Sequence, residues 1–277
     1  MTKEDFATYK KLPAINWSSL KNMKRSPLHY RHAMDNERAD STRFARGRGA
    51  HTAVLEIERF MLDYACFDGE RRQGKKWEAF EEMHAGKTIL KVDEYRKCIS
   101  LRESVRAHPE ATRILHRGEA EKTIKWVDAV TGLPCKARVD WLSARHELAD
   151  LKTTNDVNAE RFGRVAARMM YHAQLAMYRD GVEAVTGKTP RVFIIPAEID
   201  PPHDVAVFEV GEDDLCAGQE EYRSLLRMVL DCETKQSWPG AYPNVTPLLL
   251  PAWVFGNDED GFEATDLTTG EVINGGL

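Results

Sequence analysis

The sequence predicts an α/β fold of the α+β type, with a central mixed sheet of about five strands flanked by helices. In residues 1–118 the apolar side chains recur mainly at helical spacing. Near residue 119 the spacing changes to strict alternation, which is typical of strands. Further helix-like and strand-like segments follow. We therefore expect a helical N-terminal part, 1–118, packed on a core with a C-terminal tail, 119–277, in one integrated domain.

The N-terminal part is expected to start with an irregular segment, 1–15, followed by two short helices. Asn16 can cap the first of them, and Ser26 followed by Pro27 is typical of the start of the second. Residues 35–42 form a polar loop in this interpretation. The remaining helices are predicted at 43–56, 77–84, 92–105 and 110–115, with a polar insertion at 63–76.

The core is predicted to begin with an antiparallel meander of three strands, 121–129, 135–143 and 147–152. Alternation places Cys135, Ala137, Val139 and Trp141 on one face of the middle strand. One long helix, two strands, another helix and an acidic loop-like tail complete the prediction. These segments are 157–185, 191–199, 205–210, 212–233 and 234–277.

Composition is that of an ordinary soluble protein, with 42% hydrophobic and 30% charged residues and no apolar run of membrane-spanning length. The start has no apolar stretch typical of a secretory signal. The five cysteines show no C-x-x-C spacing, so we expect neither a disulfide framework nor a zinc site, and a reducing cytoplasm. The net charge of −5 combines +7 in 1–118 with −12 in 119–277. A basic part that faces a polyanion would account for this, as would solvated helix faces.

Asp140, Asp150 and Lys152 form a pattern that suits divalent-metal and phosphate chemistry. Residues two apart in a strand face the same way, so Asp150 and Lys152 are expected to point together, opposite to Leu151. Mg²⁺ prefers hard oxygen ligands, which the two carboxylates and the backbone carbonyl of Leu151 can supply. Lys152 can orient an attacking water or stabilise developing negative charge. The alternative interpretation is a salt bridge at a strand edge.

Two helices carry further candidates. His51 lies on the apolar stripe of 43–56, so it faces inward, either as a hydrogen-bonded core histidine or toward a site. Gln174 and Tyr178 are four residues apart on the long helix and project on one side, with Tyr171 one turn earlier.

Taken together, the motifs resemble the PD-(D/E)xK nuclease superfamily, in the branch of RecB-type nuclease domains, lambda exonuclease and the RecE exonuclease (exodeoxyribonuclease VIII-like). That branch has a helical histidine, an aspartate, [D/E]-x-K and Q-x-x-x-Y, in this order. The matching segments are G-A-H at His51, R-V-D at Asp140, D-L-K at 150–152 and Q-L-A-M-Y at 174–178. The flanking S-P-L-H-Y and W-P-G-A-Y segments are RecE-like, and the resemblance covers roughly 15–254. Asp150 stands where glutamate is commoner.

The resemblance implies a restriction-endonuclease-like core and a Mg²⁺ cofactor for which Mn²⁺ can substitute. It implies metal ligation by His51, Asp140 and Asp150, with Lys152 as the catalytic lysine and Gln174 and Tyr178 as supporting catalytic residues. An acidic residue on the first strand of the core would add to the site, with Glu121 as the candidate and Glu119 as its rival. Some relatives hold an iron–sulfur cluster; the cysteine spacing here does not match theirs, so we expect none.

The implied function is a DNA exonuclease that digests double-stranded ends 5′→3′ in phage or prophage recombination, in the cytoplasm of a bacterial host. The implied partners are double-stranded DNA ends, a RecT-like single-strand annealing protein and further copies of the chain in a ring. No membrane partner is expected. Arg43, Arg46, Arg48 and Arg138 are candidate phosphate contacts, or else surface or intramolecular salt bridges. A Cas4-like or RecB-like nuclease that is single-strand-specific or endonucleolytic, and an inactive DNA-binding module with a nuclease fold, remain alternatives.

Overall fold

The computed structural model describes residues 6–36, 42–251, 254, 263–265 and 272–274, without the side chains of 7, 42–46, 263–265 and 272–274. The chain forms two compact units, Met1–Ala241 and Tyr242–Leu277. In the second unit, β8 (Glu263–Thr265) pairs antiparallel with β9 (Val272–Asn274) in the tail that was predicted as loop. Among the described residues, no helix has the length and apolar character needed to cross a membrane.

Short helices form the start of the first unit, and two of the predicted caps are confirmed. The Asn16 side chain accepts a hydrogen bond from the Ser19 amide at 2.9 Å, and the Ser26 hydroxyl accepts one from the His29 amide at 3.2 Å. The predicted loop 35–42 lies largely outside the described residues. The helices are α1 (Phe6–Lys11), α2 (Trp17–Leu20) with a 3₁₀ turn (Lys21–Lys24), α3 (Pro27–Asp35), α4 (Thr42–Leu55) and α5 (Ile57–Asp63).

A small parallel sheet follows that the sequence did not predict. Its strands, β1 (Tyr64–Phe67) and β2 (Thr88–Lys91), flank α6 (Lys75–Met83) as a βαβ unit. Each strand has only four residues, which is too short for periodicity to separate strand from loop. Next come α7 (Val92–Ala107) and α8 (Pro109–Ile114), as predicted, with the break at His108–Pro109.

The prediction of a mixed five-stranded sheet is confirmed. Its strand order is β3-β4-β5-β6-β7, with β5 and β6 parallel and the other neighbours antiparallel. The strands are β3 (Gly118–Val127), β4 (Pro134–Ser143), β5 (Glu147–Thr154), β6 (Arg191–Glu198) and β7 (Phe208–Glu209). The last strand is shorter than predicted, because 205–210 contributes only one isolated bridge, Ala197 to Val205, before β7.

The predicted single helix 157–185 is two helices, α9 (Ala159–Arg168) and α10 (Tyr171–Thr186). Met170 adopts the left-handed conformation, with φ of 55°, and ends the first helix. Neither glycine nor proline marks this position, so no local signal predicts the break. The second helix, α10, packs closely on β3: a Cβ added to Gly181 would lie 2.7 Å from the Trp126 ring. The chain then completes the unit with α11 (Glu212–Lys235).

The sheet separates two hydrophobic cores, and its alternation breaks at one point. Ile124 on β3 and Val139 on β4 pack in the core beneath α10 and α11. By alternation, Ala120 should share a face with Ile124, and Trp141 with Val139. Ala120 and Trp141 instead pack in the other core, against α4 and α7. The prediction that Trp141 shares a face with Val139 is therefore wrong, because both strands change face near Glu121 and Asp140.

Candidate active site

Asp150 and Lys152 lie on β5 and face α10, on the same side of the sheet as predicted. The Lys152 ammonium forms an ion pair with the Asp150 carboxylate. The same ammonium lies 4.7 Å from the centroid of the Tyr171 ring, a cation–π distance. The lysine is thus held between a carboxylate of its own strand and an aromatic ring from the first turn of α10.

Gln174 and Tyr178 extend this contact along α10. The Gln174 side-chain amide donates a long hydrogen bond of 3.4 Å to Asp150 Oδ1 and one of 3.1 Å to the Tyr178 hydroxyl. The two residues are one helical turn apart, so their side chains meet. The break at Met170 sets the start of α10, and with it the stripe formed by Tyr171, Gln174 and Tyr178.

Asp140 connects β4 to both β5 and α4. Its Oδ2 accepts a hydrogen bond of 2.9 Å from the Leu151 amide and lies 3.3 Å from His51 Nδ1. His51 therefore faces the site, with 24% of its side chain exposed. Burial raises the pKa of Asp140, but His51, Lys152 and the Leu151 amide together outweigh burial, so the net effect lowers the pKa. Burial lowers the pKa of His51, and Asp140 raises it beyond its ordinary value.

Glu121 joins this pair from β3. Ala120 pairs with Trp141 and Lys122 with Val139, so Glu121 is opposite Asp140. Its φ of 53° lies in the left-handed region. Such a conformation costs on the order of 1–3 kcal/mol for a residue other than glycine. One ligand atom each from His51, Glu121 and Asp140 lie within 4.8 Å of one another.

This donor set fits a divalent cation. Octahedral ligands about 2.1 Å from Mg²⁺ are separated by about 3 Å when adjacent and about 4.2 Å when opposite. The 3.3 Å between His51 Nδ1 and Asp140 Oδ2, and the 4.8 Å limit on the three atoms, are close to these spacings. The two carboxylates are the ligand type that suits Mg²⁺ or Mn²⁺, and the imidazole is a common ligand of other divalent metals.

Asp150 differs from the three clustered residues. Within the part of the chain that the structure describes, its carboxylate does not complete their group and pairs with Lys152 instead. Burial raises the pKa of Asp150 to about 6, although Lys152 lowers it. Burial lowers the pKa of Lys152, but Asp150 and Asp140 raise it above its ordinary value. Lys152 is therefore a charged group at neutral pH.

The arginines predicted as phosphate contacts have different positions. The side chains of Arg43 and Arg46 lie outside the described residues, and Arg48 is exposed on α4, three residues before His51. Arg138 is buried, and its Nε donates a 2.6 Å hydrogen bond to Glu121. This is the intramolecular salt bridge that was the alternative for Arg138, and the phosphate contact stays a prediction.

The sequence also missed α1, which lies beside the site. The ammonium of Lys136, buried on β4, donates to the carbonyls of Tyr9, Lys10 and Leu12 at 2.7–3.1 Å and fixes the end of this helix. Phe6 at its start lies 5.3 Å from the Arg138 guanidinium. A six-residue helix gives little periodicity, so no sequence signal distinguished it from an irregular segment.

The fold and this site define a nuclease of the PD-(D/E)xK superfamily. The chain belongs to the family described as PDDEXK-like domain of unknown function (DUF3799), whose model matches residues 16–244. No curated protein matches the sequence. A crystal structure from Eubacterium rectale, named a putative exonuclease, is 11% identical, with a TM-score of 0.62 over 93% of this chain and 99% of that one. The structure of SSO0001 is 13% identical over 78% of this chain and 90% of that one, but its TM-score of 0.29 is too low for comparison.

Proposed function

We propose that the protein is a Mg²⁺-dependent exodeoxyribonuclease that digests double-stranded DNA from its ends, 5′→3′, in phage or prophage recombination. The observation that carries this proposal is the convergence of His51, Asp140 and Glu121 beside the Asp150–Lys152 pair. Further support comes from the Q-x-x-x-Y residues of α10, since Gln174 contacts Asp150 and Tyr178 contacts Gln174. The similar structure from Eubacterium rectale is named a putative exonuclease, which agrees with this choice.

In this proposal each residue has a distinct role. His51, Glu121 and Asp140 would hold the cation, with Asp150 and the carbonyl of Leu151 next to it. A bound divalent ion lowers the pKa of a water and neutralises charge on the phosphate. Lys152 orients the attacking water and stabilises the charge that develops on the phosphate oxygens. Gln174 and Tyr178 hold Asp150 in place, and Tyr171 holds Lys152.

Digestion of end-labelled linear duplexes tests the reaction. Substrates with 5′-phosphate, 5′-hydroxyl and blocked 5′ ends are compared with a closed circle and with single strands, in Mg²⁺ and in Mn²⁺. We expect mononucleotide release from open duplex ends, labelled 5′ ends first, and no cleavage of the circle. Cleavage of the circle, or of single strands alone, would instead indicate the Cas4-like or RecB-like alternative.

The partners follow from the same proposal. Processive digestion would require a ring of identical subunits around the duplex, and the exposed strand would pass to a RecT-like annealing protein in the cytoplasm of a bacterial host. Sedimentation of the full chain with and without duplex DNA tests the ring. An inactive DNA-binding module would bind DNA but neither digest it nor bind Mn²⁺ in calorimetry.

A further inference from the structure

Arg138 lies directly behind the metal-ligand cluster without being part of it. Only 6% of its side chain is exposed, and its Nε donates to Glu121 Oε2 at 2.6 Å. It stands two residues before Asp140 on β4, and the ring of Phe6 lies 5.3 Å from its guanidinium. Arg138 is therefore held in place from the side of α1 while it contacts one residue of the cluster.

Glu121 needs such a partner for two reasons. Its left-handed backbone is unfavourable for a glutamate, so the local fold must be stabilised by contacts of the residue. A ligand atom of its carboxylate also lies within 4.8 Å of one from Asp140. Two carboxylates of one cluster repel each other when no cation is bound. The guanidinium of Arg138 compensates the charge at Oε2.

We propose that Arg138 is a positioning residue that holds Glu121 in its strained conformation, with Oε1 directed to the cation shared with His51 and Asp140. This inference rests on the proposed metal site and deepens it. Groups that orient metal ligands in this way commonly contribute about 10–100-fold to metal affinity. Arg138 thus acts on the cation through Glu121 and contacts neither the cation nor DNA.

Another buried arginine provides a matched control. Arg179 on α10 is buried and donates to both carboxylate oxygens of Glu212, at 2.9 and 2.7 Å. Both arginines are buried and paired with a glutamate, but Glu212 is exposed and is not in the ligand cluster. Replacing either arginine by methionine removes a buried charge, so a loss of general stability affects both variants.

The test is titration of the purified full chain with Mn²⁺ alone, followed by the electron paramagnetic resonance signal of free Mn²⁺, with thermal unfolding measured in parallel without metal. We expect Arg138→Met to weaken Mn²⁺ binding by about 10–100-fold, while Arg179→Met binds like the wild type. Arg138→Lys, which keeps the charge but not the planar contact, should lose several-fold. Equal Mn²⁺ affinity of Arg138→Met and the wild type would overturn the inference.

Three further outcomes remain distinguishable. Should Arg138→Met not fold, Arg138→Lys decides, and unchanged Mn²⁺ affinity in that variant counts against the inference. In the Glu121→Gln background, adding Arg138→Lys should cause no further loss, because the arginine is proposed to act through Glu121; an additional, independent loss overturns it. A wild-type chain that neither binds Mn²⁺ nor digests DNA would instead overturn the proposed function itself.

Discussion

The two halves of the site hold their carboxylates in opposite ways. Asp140 lies against His51 and the Leu151 amide, and the net effect lowers its pKa. Asp150 lies against Lys152, yet burial raises its pKa to about 6. The first half is prepared to bind a cation, because its carboxylate stays ionised. In the second half Lys152 is charged. Burial disfavours the ionised form of Asp150, so a nearby cation would stabilise that form more than it stabilises ionised Asp140.

This difference indicates a division of labour between the halves. Loss of a residue in the His51–Asp140 half should mainly change metal affinity. Loss of a residue in the Asp150–Lys152 half should mainly change turnover at saturating metal. Measuring metal affinity and turnover separately can therefore confirm or refute this division.

Lys152→Met should have the largest effect on turnover. In the proposed mechanism this change removes the charge that faces the developing negative charge, so we expect kcat to fall by about 10²–10³-fold or more. Digestion of linear duplex at saturating Mg²⁺ measures this. Lys235→Met, at an exposed pair with Asp231, is the control and should keep wild-type activity. Undiminished digestion by purified Lys152→Met would show that the lysine is only part of a strand-edge salt bridge.

His51→Ala should act on the other quantity. We expect metal affinity to fall by about 10–100-fold or more, because an imidazole donor is lost from the cluster. Raising the Mn²⁺ concentration should restore much of the activity of this variant but none of that of Lys152→Met. The check is the metal dependence of the initial rate. If the rate keeps the wild-type metal dependence while the melting temperature falls, His51 is only a core histidine.

The pH dependence of metal affinity should report both halves together. A protonated His51 cannot bind a cation, and a cation next to Asp150 favours loss of the Asp150 proton; both groups have a pKa above the ordinary value. Affinity should therefore rise as pH increases from about 5.5 to 7.5, with protons released on binding. Calorimetry in buffers of different ionisation enthalpy counts these protons. Near pH 6, Asp150→Asn should release about half a proton fewer than the wild type. Proton release equal to that of the wild type would place Asp150 outside the metal site.

Local periodicity predicted which site residues share one face of a strand or of a helix. Two-residue spacing in β5 placed Asp150 with Lys152, and four-residue spacing in α10 placed Gln174 with Tyr178. The sequence also predicted the order of the five core strands along the chain, because their apolar patterns are long. Each of these features is set by residues that are neighbours in sequence.

The remaining features depend on contacts between distant segments. The left-handed backbone of Glu121 and the change of face near Asp140 break the alternation that sequence interpretation assumes. The break at Met170 has no glycine or proline to signal it. The burial of Arg138 depends on α1, which packs on β4 from more than a hundred residues away. A pattern of period two or 3.6 contains no information on such packing.

Substitution of Tyr171 should have the smallest effect on turnover. Its ring contacts Lys152 from α10, the helix that begins after the break at Met170. A cation–π contact contributes about 0.5–2 kcal/mol, so Tyr171→Leu should lower kcat several-fold with little change in metal affinity. Tyr171→Phe keeps the ring 4.7 Å from the ammonium and should retain most of the rate. Equal losses in both variants would show that the hydroxyl, and not the ring, is the part that matters. A weakened metal affinity in Tyr171→Leu would show that the two halves are coupled, and the division between them would then no longer hold.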